Sequence, residues 1–227
     1  MKQLIWTGLL IFAIGTCIIG CGPATMASSD FAGTWTTNLG TINFVQNGDK
    51  LTGNIAGYGG NWNETFSGSI NENGEAVFDT EVLGSFTLVT EGENNFKSIS
   101  TELSFCGVRG ENMELPAGCG FSGKWNSRSE LREDEGYLLL TQTGETVTGD
   151  LYNIMGEKYE TFTGTVEWGK GWRANGTTKQ RGNLSLWINS SETGFELMYG
   201  DSGNPQKLCA VRDGLASAYL FSYTCEP

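Results

Sequence analysis

The 227-residue chain contains no histidine. That absence removes Ser-His-Asp and Cys-His nucleophile arrangements, imidazole acid–base catalysis and histidine-based metal sites together. No P-loop, no Rossmann glycine fingerprint and no Ser-x-x-Lys motif occurs, so nothing in the sequence calls for a cofactor. Positive charge is scarce, with 14 Lys and Arg against 26 Asp and Glu and a net charge of −12. A chain that acidic repels the phosphate backbone, which excludes DNA and RNA as partners. Proline is rare, 4 residues against 33 glycines, and the glycines follow no period of three. Collagen-like structure is thereby excluded, and many tight turns are expected instead. Helical spacing of apolar residues is nowhere sustained.

The first twenty residues have the layout of an export signal, Lys2 followed by an apolar run from Leu4 to Ile19 that is too short to be a membrane span. It ends in Ile18-Ile19-Gly20-Cys21, which resembles the lipobox of bacterial lipoproteins. The resemblance implies a signal peptide over 1–20, diacylation of Cys21 with palmitate-type chains, and a tether over 21–30 rich in small and polar residues. A paired lipid holds a protein to a membrane stably where one chain does not. Residue 22 is Gly rather than the Asp of inner-membrane retention, so the expected place is the cell envelope, at the outer membrane, on its periplasmic or surface face. An ordinary secretory signal cut near Ala24 or Ala27 is the alternative. Loss of Lys2 with the signal leaves 13 basic residues against the 26 acidic ones.

Six cysteines then sort without remainder. Cys17 leaves with the signal and Cys21 takes lipid. Cys106, Cys119, Cys209 and Cys225 remain for an oxidising compartment, where four cysteines allow three connectivities. Cys106-Gly107-Val108-Arg109 and Cys209-Ala210-Val211-Arg212 occupy equivalent places, each followed by a second cysteine. The expected bonds are Cys106–Cys119 and Cys209–Cys225, each contributing about 3 kcal/mol in the chain-entropy account. Zinc is disfavoured, because neither a C-x-x-C pair nor a histidine exists.

The equivalence belongs to an internal repeat. Phe31-Ala32-Gly33-Thr34-Trp35 matches Phe121-Ser122-Gly123-Lys124-Trp125, the stretch Gln46 to Gly53 matches Gln142 to Gly149, and Glu64-Thr65-Phe66-Ser67-Gly68 matches Glu160-Thr161-Phe162-Thr163-Gly164. A period this long means duplicated domains, not a solenoid. Within each unit apolar residues recur every second position, as in Ile42 and Phe44, Phe86 and Leu88, or Leu184, Leu186 and Ile188, which is the period of a half-buried strand. Asn47-Gly48 and Asn73-Gly74 between such runs are hairpin signals, two residues of positive φ suiting the strand twist. The sequence predicts an all-β protein of two tandem antiparallel β-meander modules, 31–120 and 121–227, each a small barrel or sandwich. The rival arrangement makes the units halves of one larger pseudo-symmetric barrel.

The Gly-x-Trp entry strand, with Trp35-Thr36-Thr37-Asn38-Leu39-Gly40-Thr41 followed by Leu51-Thr52-Gly53-Asn54-Ile55, resembles the opening of avidin-like and lipocalin-like barrels. Where the avidin pattern has a tyrosine after Thr-Gly-x, this chain has Ile55 and Leu151, so biotin binding is not carried over.

Residues that could carry function are few. Glu64 and Glu160 would offer paired carboxylates if the units faced each other; exposed strand-edge positions are the plainer reading. Asn71-Glu72-Asn73-Gly74-Glu75 has oxygen ligands at calcium-like spacing, but turn chemistry accounts for it, and no metal is expected. Trp35 and Trp125 are equivalent and read as core anchors. Arg109 and Arg212 are placed to pair with an acid or stack on them. Trp62, Trp168 and Trp172 lack counterparts and lie in Gly- and Asn-rich stretches, so they are the candidate ligand-facing rings, with packing onto the barrel end as the alternative. The function expected is a non-enzymatic binding or structural module of the cell envelope. Its rivals are a lipocalin-like carrier of a small apolar ligand and a carboxylate-dependent hydrolase. Besides the membrane, the candidate partners are a carbohydrate, a small apolar ligand and an envelope protein.

Overall fold

The computed structural model describes residues 30–60, 62–99, 103–129, 132–167, 172–189, 192–199 and 206–215. Two closed eight-stranded antiparallel barrels follow one another along the chain, each a meander. The first comprises β1 (Gly33–Thr37), β2 (Gly40–Asn47), β3 (Lys50–Gly57), β4 (Asn63–Ile70), β5 (Ala76–Thr80), β6 (Gly84–Glu91), β7 (Asn95–Ser98) and β8 (Cys106–Arg109). The second comprises β9 (Gly123–Ser129), β10 (Arg132–Thr143), β11 (Thr146–Tyr152), β12 (Lys158–Glu167), β13 (Trp172–Thr178), β14 (Gly182–Ile188), β15 (Gly194–Tyr199) and β16 (Gln206–Arg212). Each first strand pairs with both its successor and the last strand, so each repeat closes on itself. The duplication therefore made two barrels rather than two halves of one, and neither unit is an open sandwich.

Register repeats as well. Trp35 stands opposite Ile42 and Trp125 opposite Leu138, and both tryptophans are fully buried. Alternation is plain in β12, where Glu160, Phe162, Gly164 and Val166 point inward and their neighbours outward. A strand with one buried face cannot slip by one residue without turning its whole apolar set to water, which is what fixes the register. The hairpins between β2 and β3 and between β10 and β11 have two-residue loops, Gly48-Asp49 and Gly144-Glu145. Only the glycine of each takes positive φ, 60° and 53°. The turn thus sits one residue later than an Asn47-Gly48 pair implies. Asn73-Gly74 lies in a five-residue loop between Ile70 and Ala76 instead of a tight hairpin.

The two barrels are filled differently. Phe44 is the centre of an aromatic plug in the first, its ring 5.8 Å from Phe31, 5.5 Å from Phe66, 5.9 Å from Phe78 and 6.2 Å from Phe96. Phe86 and Phe105 extend the plug, 4.8 Å apart. In the second barrel the matching positions carry Leu140 for Phe44, Gly176 for Phe78 and Leu184 for Phe86. Phe162 there lies across Gly164 and Gly176, where an added Cβ would meet its ring at 2.5 and 2.7 Å. One core is built of interlocked rings and the other of aliphatic side chains around a few rings.

The barrels are stacked end to end. The chain enters the first at Phe31, and the opposite end carries Asn38, between β1 and β2, and Tyr58, between β3 and β4. Those two residues meet the entry end of the second barrel, where Gly120, Gln142 and Glu192 lie. Residues 110–122 run back along the first barrel to reach this junction, tied on the way by a hydrogen bond from Met113 N to Thr36 Oγ1 and by the Cys106–Cys119 disulfide.

Because Phe44 touches four other rings, Phe44→Ala leaves a cavity that backbone closure cannot collapse. It is expected to lower the unfolding free energy by about 3–5 kcal/mol, measured by denaturant titration of the soluble chain. A loss under about 1 kcal/mol would contradict the plugged core.

Candidate functional site

Each barrel is latched by the same four residues. Trp35 Nε1 donates to Phe31 O at 2.8 Å and Trp125 Nε1 to Phe121 O at 2.8 Å. Gln46 Oε1 accepts from Phe31 N at 2.8 Å, and Gln142 Oε1 from Phe121 N at 3.1 Å. The Arg109 guanidinium lies 4.3 Å over Trp35 and that of Arg212 4.1 Å over Trp125. Arg109 also donates to the carbonyls of Asp30 and Ala32, as Arg212 does to those of Gly120 and Ser122. The arginines thus stack on the tryptophans while clasping the incoming chain.

Both glutamates of the repeated Glu-Thr-Phe cap a turn in their own barrel. Glu64 Oε1 accepts from the amides of Glu81 and Val82, and Glu160 Oε1 from those of Gln180 and Arg181 at 2.7 and 3.1 Å. Each is committed to its own hairpin rather than facing its counterpart. In the loop 71–75, Asn71 Oδ1 accepts from the amides of Asn73 and Glu75, both at 3.0 Å, and Asn71 Nδ2 donates to Glu75 Oε2 at 2.7 Å. Two of the oxygens with calcium-like spacing, Asn71 Oδ1 and Glu75 Oε2, are thus held inside the loop.

The Cys106–Cys119 bond is formed, with the Cα atoms 5.8 Å apart. Cys209 is disulfide-bonded; Cys225 lies outside the described residues, as do Cys21 and Trp168. Trp172 opens β13 opposite Ile188, and its side chain is likewise outside the description. Trp62 is partly buried and packs against the core, its ring 3.4 Å from where a Cβ of Gly57 would stand.

Sequence reasoning missed Glu192. The loops 71–75 and 153–157 share an Asn-x-x-Gly-Glu pattern in which the glycine takes φ of 79° and 78°. Asn189 and Thr193 make the same contact, Thr193 N donating to Asn189 Oδ1 at 2.9 Å, but Glu192 takes the glycine place at φ 54°. A left-handed residue with a Cβ costs on the order of 1 kcal/mol or more. The side chain it delivers is buried at the junction. Asn38 Nδ2 donates to Glu192 Oε1 at 2.5 Å, Gly120 N donates to its Oε2 at 2.8 Å, and Arg212 Nη2 stands 3.9 Å away. Burial raises the Glu192 carboxyl above its ordinary range, opposed by Arg212, Asn38, Gly120 and Ser104. Burial likewise lowers Arg212, opposed by Glu192. At the same junction burial pushes the Tyr58 phenol up, and its hydroxyl donates to Thr37 O at 2.5 Å. The asparagine-led loops with glycine in fourth place were the available signal, since the third copy breaks that pattern with a charge.

At the other end of the second barrel is a cleft of about 310 Å³ lined by Lys158, Tyr159, Glu160, Thr161, Lys179 and Gln180. Compared with family models, curated proteins and solved structures, the chain matches none. Its two halves compare with each other. Lys158, Tyr159, Lys179, Gln180 and Arg181 stand where the first barrel has Trp62, Asn63, Glu81, Val82 and Leu83.

Protonated Glu192 is favoured in the folded state, so the native chain loses stability as pH rises from the unfolded carboxyl value of about 4.3 through the raised folded one. Glu192→Gln removes that loss. The difference in unfolding free energy, variant minus native, is expected to increase with pH from about 4.3 upward. A flat difference from pH 4 to 7 would contradict the burial of this carboxylate.

Proposed function

We propose that this chain is an exported, lipid-anchored module of the bacterial cell envelope that binds or supports a partner without catalysing a reaction. The observation that carries the reading is the stacking of the two barrels. Asp30 lies at the end of the first barrel opposite the junction, so a tether that ends there would leave the far end of the second barrel as the distal end of the molecule. Nine residues from Cys21 to Asp30 span at most about 30 Å. The first barrel then acts as a spacer, and the second is presented away from the membrane.

The filled interior of the first barrel supports a spacer over a carrier, since rings around Phe44 occupy the place an apolar ligand would take. The turn-capping role of Glu64 and Glu160 supports binding over hydrolysis. Among the described residues no group of three or more His, Cys, Asp or Glu is placed to hold a metal ion.

Anchorage is tested by mass spectrometry and membrane fractionation of the native chain and Cys21→Ala. The native protein is expected to carry a diacylglyceryl-modified Cys21 and to sediment with membranes, and the variant to lose both. A native chain cleaved after Ala24 or Ala27 and recovered in the soluble fraction would overturn the anchor.

A further inference from the structure

The cleft at the far end of the second barrel differs from its counterpart in the first in a way the fold does not require. In both barrels the turn after the fifth strand runs from Thr to Gly over five residues, Thr80–Gly84 and Thr178–Gly182, and is capped by the repeated glutamate. Thr80 Oγ1 accepts from Leu83 N at 3.0 Å and Thr178 Oγ1 from Arg181 N at 3.1 Å. The frame is the same. On it the first barrel carries Glu81-Val82-Leu83, and the second carries Lys179-Gln180-Arg181.

That exchange puts positive charge on one rim of a strongly acidic chain. Lys158 is paired with Asp150 at 2.7 Å, and Arg181 with Glu160 at 3.4 Å. Among the described residues no carboxylate pairs with Lys179, which is exposed on the cleft wall. Arg181 is held in place by two rings, 4.3 Å over Tyr199 and 5.4 Å from Tyr159, and by a contact of 3.3 Å with the Tyr159 hydroxyl. Ordering a guanidinium this way spends rotamer freedom that a solvated surface arginine keeps.

One buried polar atom at this place, Arg181 Nη1, has no hydrogen-bond partner, and Glu160 Oε2 has only its ion pair with Arg181 Nε at 3.4 Å. The Glu160 side chain is 0% exposed and belongs to the cleft lining. Leaving a buried donor such as Arg181 Nη1 unmatched costs about 1–3 kcal/mol, a cost that an acceptor brought to this rim would offset. Next to the cleft, the tip of the hairpin between β11 and β12 exposes Ile154 and Met155 by 69% and 79%. Tyr58 and Gly59 hold the matching places in the first barrel, at the end which docks onto the second.

We propose that this cleft binds a small sugar-sized molecule bearing an anionic group, carboxylate or phosphate. Lys179 takes the charge, Thr161 and Gln180 take hydroxyls, and the apolar hairpin tip shields one side. A volume of about 310 Å³ suits a single ring, near the lower bound of small-molecule pockets. This deepens the binding reading above and is independent of the lipid anchor, because it is tested on soluble residues 22–227.

The test is an NMR titration of that chain with glucose, glucuronate, glucose 6-phosphate and inorganic phosphate, repeated on K179E/Q180V/R181L. The triple variant transplants the turn of the first barrel onto the same turn frame, and a retained cooperative thermal transition establishes folding. Glucuronate or glucose 6-phosphate is expected to shift the amides of residues 158–161 and 179–181 saturably, with glucose at least about tenfold weaker and the variant losing the response. A stronger response to glucuronate than to glucose 6-phosphate assigns a sugar acid, and the reverse assigns a sugar phosphate. Equal binding of glucose, equal binding of inorganic phosphate alone, no saturable shift, or a response unchanged in the folded variant would each overturn the proposal. All of these leave Cys21 lipidation untouched, so failure here is distinct from failure of the anchor.

Discussion

In each barrel the last strand is held to the first by an arginine laid over a buried tryptophan. Arg109 over Trp35 and Arg212 over Trp125 occupy equivalent places, at 4.3 and 4.1 Å, and each guanidinium also collects two carbonyls of the incoming chain. A meander of eight short strands has two exposed edges until it closes, and exposed edges are sites of mispairing and aggregation. The latch makes closure specific, because only the correct pairing of last and first strands places the planar cation on the indole face while satisfying its donors. Barrel closure then gives every inward position a fixed neighbour, and the two cores follow from what those positions hold.

The second latch also serves the junction. Arg212 stacks on Trp125, donates from Nε to Glu192 O at 2.8 Å and lies beside the Glu192 carboxylate, which in turn takes Asn38 of the first barrel. A buried charge is costly unless it is matched. Burial still holds the Glu192 carboxyl raised, and the partners that oppose it come from both barrels and from the connecting segment, so no one piece can leave without stranding it. The Cys106–Cys119 bond fastens that segment to the first barrel at the same level. Thus the feature that closes the second barrel is part of what joins it to the first.

Much of the architecture was legible because it rests on periodicity and duplication. The two-residue alternation of Ile42 and Phe44 or Leu184 and Leu186 gave strands, the matched Phe-x-Gly-x-Trp entries gave two units, and the matched Cys-x-Val-Arg blocks located both Cys106 and the latch arginines. What remained hidden depends on contacts between distant residues. The one local mark of Glu192 is that it takes the glycine place of the asparagine-led loops, and its burial is created by Asn38, 154 positions earlier. The end-to-end stacking is hidden for the same reason. Trp62, in a Gly- and Asn-rich stretch, reads as a loop ring, yet it lies partly buried against the core, with Gly57 leaving room beside it. The Asn-Gly pairs misplace their turns because only the glycine needs positive φ, and Asn71 rather than Asn73 organises the loop that follows β4.

The buried Glu192 junction makes the two barrels one body. Amide hydrogen exchange at Gly120 tests it most directly, because this amide donates to Glu192 Oε2 from a connecting segment that would otherwise exchange as a loop. Protection of Gly120 is expected to be comparable to that of the strand amides of Trp125 and Leu138. Exchange at the rate of an open loop, with the strands of both barrels still protected, would show that the barrels move independently and would contradict it.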